Sequence, residues 1–441
     1  MTQPSLSAPK RSVLAASITY VSLFLMSCAT PPTNPTGQVT TATPVTVPVP
    51  NAQVNVQQTT PSRVIVRQDQ ASYGGQTNDS YGSFSEWKQQ FLRQTGNHQL
   101  FVNASLNQQV ITLDSNQAEF SKMPWEYLDS AVSSSRVNQG IQKRREQLSV
   151  LDRAETRYGV PASIVTAIWG IESSYGAAMG STDLVNALSS LAYEGRRRSF
   201  AENQLLSMLQ MVNRGDVASH QLKGSWAGGM GHTQFIPSTW LAQGVDGDGD
   251  GRKNPFTAAD ALTSTANYLS NSGWVAGLPA YFEVGLPQNF DYRHIGASYS
   301  LDTWRSMGVY NVGGGNFDGN HTAELWLPAG VNGPVLLITK NFNVIKVYNN
   351  SSNYALAVAA LANRINSRPA FVRDFPLHEQ PLSRGQVQQL QQILTSRGFD
   401  TKGADGVIGT NTRNAFAQWQ AANGRIPDGF ISQSTVRGLL W

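Results

Sequence analysis

The chain of 441 residues is poor in cysteine, in histidine and in charge. Its single cysteine, Cys28, leaves no intrachain disulfide, no cysteine zinc cluster and no dithiol redox pair. The histidines, at 98, 220, 232, 294, 321 and 378, form no H-E-x-x-H pair, so the common zinc-hydrolase signature is missing. No G-x-S-x-G elbow is present, and no glycine cluster leads into a G-K-[ST] phosphate loop. Charged residues make up 14% of the chain, well below the ~25% of ordinary soluble domains. Lys+Arg number 33 against Asp+Glu 29, a net charge of +4 without a long basic block. That balance excludes an acidic solvating tail and gives no footing for a nucleic-acid partner.

Long hydrophobic runs are missing too. Lys10 and Arg11 precede an uncharged run, Val13 to Met26, that is short of the about 20 residues needed to span a bilayer. A basic start and a short apolar run read as a signal peptide. The run ends Leu25-Met26-Ser27-Cys28, which resembles the lipobox of bacterial lipoproteins. That resemblance implies cleavage before Cys28 and its acylation, and Ala29 in the next position implies the outer membrane. Acyl chains anchor by burying CH₂ groups in the lipid.

From Ala29 to Ser62 there is no charge, and Thr, Pro, Val, Gln and Asn dominate. Such a segment has too little apolar surface to bury and reads as a tether. Packed structure is expected from about Phe84, where Phe84, Trp87, Phe91 and Leu92 fall at helical spacing. Helical pattern continues to about Tyr193. Residues 280–347 are richer in glycine, aromatic and β-branched types, and Val335–Ile338 and Val344-Ile345 read as strands. Tyr354–Ile365 reads as helix again. Pro369, Pro376 and Pro381 mark a linker before a small final module.

That module repeats the pattern D-G-x-I-x-x-x-T, at Asp405–Thr412 and Asp428–Thr435. Apolar faces at Val387, Leu390, Ile393 and Leu394, and at Ala415, Phe416 and Trp419, predict a three-helix unit. The stretch Asp405 to Gln420 resembles the peptidoglycan-binding module found at the ends of many cell-wall enzymes.

The most informative segment runs from Gly159 to Gly176. Pro161 suits the first turn of a helix. With Ile164 at zero and about 100° per residue, Ile168 falls near 40°, Val165 near 100° and Glu172 near 80°. A carboxyl group is thereby set on an apolar face, where burial raises its pKa. A carboxylic acid still protonated near neutrality is what a glycosidase general acid requires. Pattern alone serves equally a buried structural Glu paired with Arg196, Arg197 or Arg198.

The sequence Ile171-Glu-Ser-Ser-Tyr-Gly176 is similar to the catalytic-glutamate motif of lytic transglycosylases. Gly224 to Ser238 and Tyr348 to Ala355 match two further motifs, in order, and the resemblance is to the membrane-bound lytic murein transglycosylase B family from about Phe84 to Ile365. It implies a mainly α (α+β) fold: a lysozyme-like helical catalytic core with a small β-containing subdomain, then the helical binding module. It also implies that Glu172 alone serves as acid and base on the N-acetylmuramic acid to N-acetylglucosamine bond of peptidoglycan, giving a 1,6-anhydro product. Tyr348 and Asn349 would position the substrate's acetamido group. Ser225 and Gln234 offer hydrogen bonds to sugar, and Gly224, Gly228, Gly229 and Gly231 would admit it closely. Trp226 and Trp240 serve either sugar stacking or core packing, and His232 either lines the cleft or packs. The rival functions are a hydrolytic muramidase using the same Glu172 and a non-catalytic wall-binding lipoprotein.

Asp246-Gly-Asp248-Gly-Asp250-Gly251 opens like an EF-hand loop, but Thr257 stands where the twelfth-position Glu belongs. Asp260 would supply the missing carboxylate, and some members of the resembled family have a longer calcium loop of this kind. A structural calcium ion is expected on Asp246, Asp248, Asp250 and Asp260, and no cofactor for the chemistry. The expected organisation is a signal peptide over 1–27, lipidated Cys28 and tether over 28–80, catalytic domain over 81–367, linker over 368–380 and binding module over 381–441. Peptidoglycan and, through the lipid, the periplasmic side of the outer membrane are the expected partners.

Overall fold

The computed structural model describes residues 81–115, 122–315 and 317–441. The expected signal peptide, Cys28 and the tether lie outside them. Among the described residues no helix is long and apolar enough to cross a membrane.

Helices occupy most of the described residues from Phe84 to Tyr193, as the periodicity predicts, and a further helix, Arg198–Asn213, follows. Ser83 caps the first, Phe84–Gln94, by accepting from the Glu86 N–H, and Trp87 and Phe91 are its buried side chains. The centre of the molecule is the helix Ala162–Ser173. Every side chain on it is buried except that of Ile171, as befits a helix that is apolar nearly all round. It packs against the helices Ser134–Glu146, Leu148–Tyr158, Ala258–Asn271 and Ser352–Ile365. The last of these is rich in alanine, with Ala355, Ala357, Ala359, Ala360 and Ala362 buried, which lets two backbones approach closely.

A five-stranded antiparallel sheet follows, in the order Ser298–Ser300, Thr322–Trp326, Leu336–Thr339, Tyr281–Gly285, Tyr310–Asn311. The strand Leu336–Thr339 is buried on both faces. Leu337 joins the sheet's own core with Val284, Trp304 and Leu325, while Leu336 and Ile338 turn to the helical core. Val344 and Ile345, expected to form a strand, lie instead in the helix Lys340–Tyr348. Thr339 caps that helix by accepting from the Asn341 N–H, and both β-branched side chains are buried on its inner face. Burial outweighs their intrinsic preference for strand.

The segment read as a linker is fastened down. Glu283 accepts from the Val372 and Arg373 N–H groups at 2.6 and 2.7 Å, and Tyr281 Oη donates to the Ala370 carbonyl at 2.6 Å. In the final module the helices Arg384–Ser396 and Thr410–Ala422 form as expected. The third element of the expected three is a run of turns over 433–439, with Gly438 at φ +89°. The repeat has a structural meaning. Gln391 bonds both Asp405 and the Gly406 N–H, and Gln420 bonds both Asp428 and the Gly429 N–H, at 2.8 to 2.9 Å. Asp428 also ties the module to the core, since its Oδ2 accepts from the Val331 N–H at 3.1 Å. Beside it, Phe430 packs with Met123, Trp125 and Ala329.

Candidate active site

The helix Ala162–Ser173 starts one residue after Pro161, and Glu155 Oε2 accepts from the Ala162 N–H at 2.8 Å. It ends in three successive left-handed residues, Ser174, Tyr175 and Gly176, at φ +49°, +60° and +89°. This turn is held from across the cleft loop. Ser173 Oγ donates to the His232 carbonyl and accepts from the Gly176 N–H at 2.9 Å. A Cβ on Gly176 would lie 2.5 Å from the His232 ring. Trp169 Nε1 donates to His232 Nδ1 at 3.0 Å. His232 is therefore a neutral acceptor at Nδ1, and burial lowers its pKa accordingly. It packs the turn in place.

Glu172 is set at the end of this helix and is 9% exposed. Tyr354 Oη, from the facing helix Ser352–Ile365, donates to Glu172 Oε1 at 2.6 Å. Burial pushes the carboxyl up to about 7, and the Tyr354 hydrogen bond opposes that rise. No cation contributes. Arg196 and Arg197 are engaged elsewhere, both on the buried carboxylate of Asp114. The reading of Glu172 as half of a structural ion pair therefore has no partner in these two arginines. Two more tyrosines lie within reach of its charge. Tyr127 is pushed to about 12 by burial and by the nearby Glu172 charge, and Tyr348 is raised well above its ordinary value for the same reasons.

The other expected site residues divide into two groups. Tyr348 stands behind the acid: it is buried, and its hydroxyl donates to the Thr233 carbonyl at 2.5 Å. Asn349 caps the end of the same helix and is half-buried. Ser225 Oγ accepts from the Gly229 N–H at 2.9 Å and closes the loop. Gln234, at φ +52°, donates from Nε2 to the Met179 and Gly231 carbonyls. The loop glycines admit protein backbone. A Cβ on Gly224 would meet the Gly229 carbonyl oxygen at 2.1 Å, and one on Gly231 would meet that of Pro255 at 2.0 Å. Trp240 is core, 1% exposed and bonded to the Lys253 carbonyl, while Trp226 is half-buried. The role of Tyr354 was missed in the sequence although the residue stands in the third motif, and Tyr127 was not singled out. Tyr354 did leave a signal: an aromatic hydroxyl in the first turn of an alanine-rich helix.

The acidic loop converges on three carboxylates. Oxygens of Asp246, Asp248 and Asp260 lie within 4.8 Å of one another. Asp250, the fourth expected ligand, is not in this group; its Oδ1 accepts from the Arg252 N–H at 2.8 Å. Gly249 and Gly251, at φ +84° and +85°, turn the backbone so that their N–H groups reach Asp246. Asp260, in the first turn of its helix, accepts from the Gly247 and Asn254 N–H groups. Burial raises its pKa, and the charges of Asp248 and Asp246 add to the rise. An oxygen-only set with uncompensated negative charge fits a hard divalent cation such as calcium.

Residues 81–363 match the family described as transglycosylase SLT domain, and residues 383–439 match a putative peptidoglycan-binding domain. The chain is 41% identical to SltB3 from Pseudomonas aeruginosa, solved with NAG-anhNAM-pentapeptide; the alignment covers 81% of this chain and 100% of that one, with a TM-score of 0.77. It is 32% identical to membrane-bound lytic murein transglycosylase B of Escherichia coli over 54% of this chain. That match spans 66% of the relative's length, just short of two thirds. The Escherichia coli lytic transglycosylase Slt35, solved in complex with calcium, is 27% identical over 64% of this chain and 92% of that one, with a TM-score of 0.56.

Proposed function

Since the chain belongs to the transglycosylase SLT domain family, we propose that it is a peptidoglycan lytic transglycosylase in which Glu172 alone carries the proton. The observation that supports this most is a carboxyl that burial raises to about 7, with one tyrosine hydroxyl opposing the rise and no cation beside it. Usual glycosidases divide the work between two carboxylates.

In this reading protonated Glu172 donates to the glycosidic oxygen as the bond to C1 of N-acetylmuramic acid breaks. The substrate's own acetamido oxygen shields the developing positive charge at C1. The carboxylate left behind keeps the Tyr354 hydrogen bond, which favours the charged form. It then takes the proton of the C6 hydroxyl as that oxygen closes on C1. Glu172 ends protonated, the 1,6-anhydro ring is formed, and no water is consumed. Asn349, Ser225 and Gln234 face the sugar in this scheme. Gln234 does so through Oε1, since both its N–H bonds go to backbone carbonyls. Tyr348 acts from behind by fixing the loop at Thr233.

The C-terminal module would hold the same polymer, and lipidated Cys28 would fix the chain to the outer membrane. Calcium bound at Asp246, Asp248 and Asp260 would brace the loop beside the cleft. Added calcium should raise the melting temperature of the full chain, and Asp260→Ala should abolish that response. The decisive experiment is digestion of purified sacculi followed by mass analysis. Anhydro muropeptides, one water lighter than hydrolytic ones, support the proposal. Hydrated products would favour the muramidase reading, and no products would favour a wall-binding lipoprotein.

A further inference from the structure

A groove lies where the C-terminal module meets the catalytic core. Three cations line it: Lys122 from the core, and Arg384 and Arg413 from the module. No acidic side chain is among its lining residues, and the rest of the wall is largely apolar, with Met123, Phe430 and several prolines. All three cations are solvent-exposed. Arg413 is reached by water and yet is so ringed by protein that desolvation lowers its pKa. Its guanidinium makes no hydrogen bond or ion pair among the described residues. Arg384 has only a long contact, 3.4 Å, to the Asp405 carbonyl.

A guanidinium without a partner, Arg413, and one with a single long contact, Arg384, in a concave wall lined by no acid are suited to carboxylates, which they bind through paired N–H donors. The groove is lined partly from the elements that carry the tyrosines around the acid. Asn353 lines it, next in sequence to Tyr354, and Met123-Pro124 line it at the start of the helix that carries Tyr127. The module is pinned in this position by the Asp428 to Val331 hydrogen bond and the Phe430 cluster.

We propose that this groove binds the carboxylate-bearing peptide of a peptidoglycan strand whose sugar lies at Glu172, with Arg384 and Arg413 as its anion contacts. The inference rests on the peptidoglycan reading above. It makes the module a selector of peptide-bearing strands.

The test uses the full chain with Glu172→Gln, so that ligands persist, and calorimetric titration. The ligands are a synthetic GlcNAc-MurNAc pentapeptide, its C-terminal amide and the peptide-free disaccharide. The acid form should bind at least tenfold more tightly than the peptide-free sugar, and added salt should shrink that advantage. Arg384→Ala and Arg413→Ala should each remove most of it and leave the peptide-free affinity unchanged. Arg413→Lys, which keeps the charge, should restore part. Equal affinities for the three ligands in the parent, or unchanged preference in both alanine variants, would overturn the proposal. Thermal melting of each variant reads folding separately. Cleavage of sacculi by the unmodified chain is measured in parallel. Its failure would overturn the enzymatic reading and leave the binding result to stand on its own.

Discussion

Two buried carboxyl groups in the same helical core have opposite surroundings. Asp114 is met by two guanidiniums, Arg196 and Arg197, and by nothing reactive. Glu172 is met by the Tyr354 hydroxyl, with two further tyrosines close by and no cation. Cations grip the first and make it a structural tie. Burial with no cation leaves the second able to hold or release a proton near neutrality. The lesson is that burial brings a carboxyl toward neutrality only where no guanidinium or set of backbone N–H donors holds its ionised form.

The largest effect should come from emptying the reactive site of its proton. Glu172→Gln should slow sacculus cleavage by roughly 10⁴-fold, the upper range for a general acid, with wall binding retained in a pull-down. Undiminished turnover would break the contrast altogether.

The same variant should show its stability effect only at high pH. The folded pKa of about 7 lies above the unfolded carboxyl value, so the native state binds more protons between the two. The parent is therefore most stable below the unfolded pKa and loses stability as pH rises through about 7. Glu172→Gln removes that loss. In urea titrations it should gain on the order of 3 kcal/mol over the parent at pH 8 relative to pH 4. Parallel pH dependence in the two proteins would contradict the raised pKa.

Asp114→Ala should act in the opposite way. It should cost about 2 kcal/mol of stability, the worth of hydrogen bonds to charged groups with one guanidinium half in water. Cleavage well below the melting temperature should be unchanged. A selective loss of activity would mean that the two carboxyls are not separable.

The smallest shift belongs to Tyr354→Phe. Its hydrogen bond favours the ionised carboxylate, so removal should move the alkaline limb of the activity profile to higher pH. The rate should fall by about tenfold, near 1.4 kcal/mol. A limb moved to lower pH would show that Tyr354 stabilises the protonated form instead.

Much of this contrast was legible in the sequence, and its limits are instructive. The angular position of Glu172 followed from helical spacing, because residues 162–173 form one regular helix and its partners all lie inside it. The choice between acid and ion pair was not legible, since Asp114 lies far along the chain from the arginines that hold it. The third motif was found with a role for Tyr348 and none for Tyr354: Tyr348 ends one helix with its hydroxyl on Thr233, and Tyr354 begins the next with its hydroxyl on Glu172. No local pattern distinguishes these directions. The cleft glycines were read as sites that admit a sugar, and at two of them, Gly224 and Gly231, the backbone of Gly229 or Pro255 makes the close approach. In the acidic loop, spacing nominated four aspartates, and three of them, Asp246, Asp248 and Asp260, bring oxygens together in the fold.

The hydrogen bond from Val331 to Asp428 has a practical consequence for anyone shortening this chain. A protein ended before Leu382 would keep every residue of the acid site, yet it would uncover Met123, Trp125, Ala329 and Phe375 together. Such a fragment should be soluble only when dilute and prone to self-association through that apolar face. Low yield from it would then report a missing cover, and would say nothing against the chemistry at Glu172.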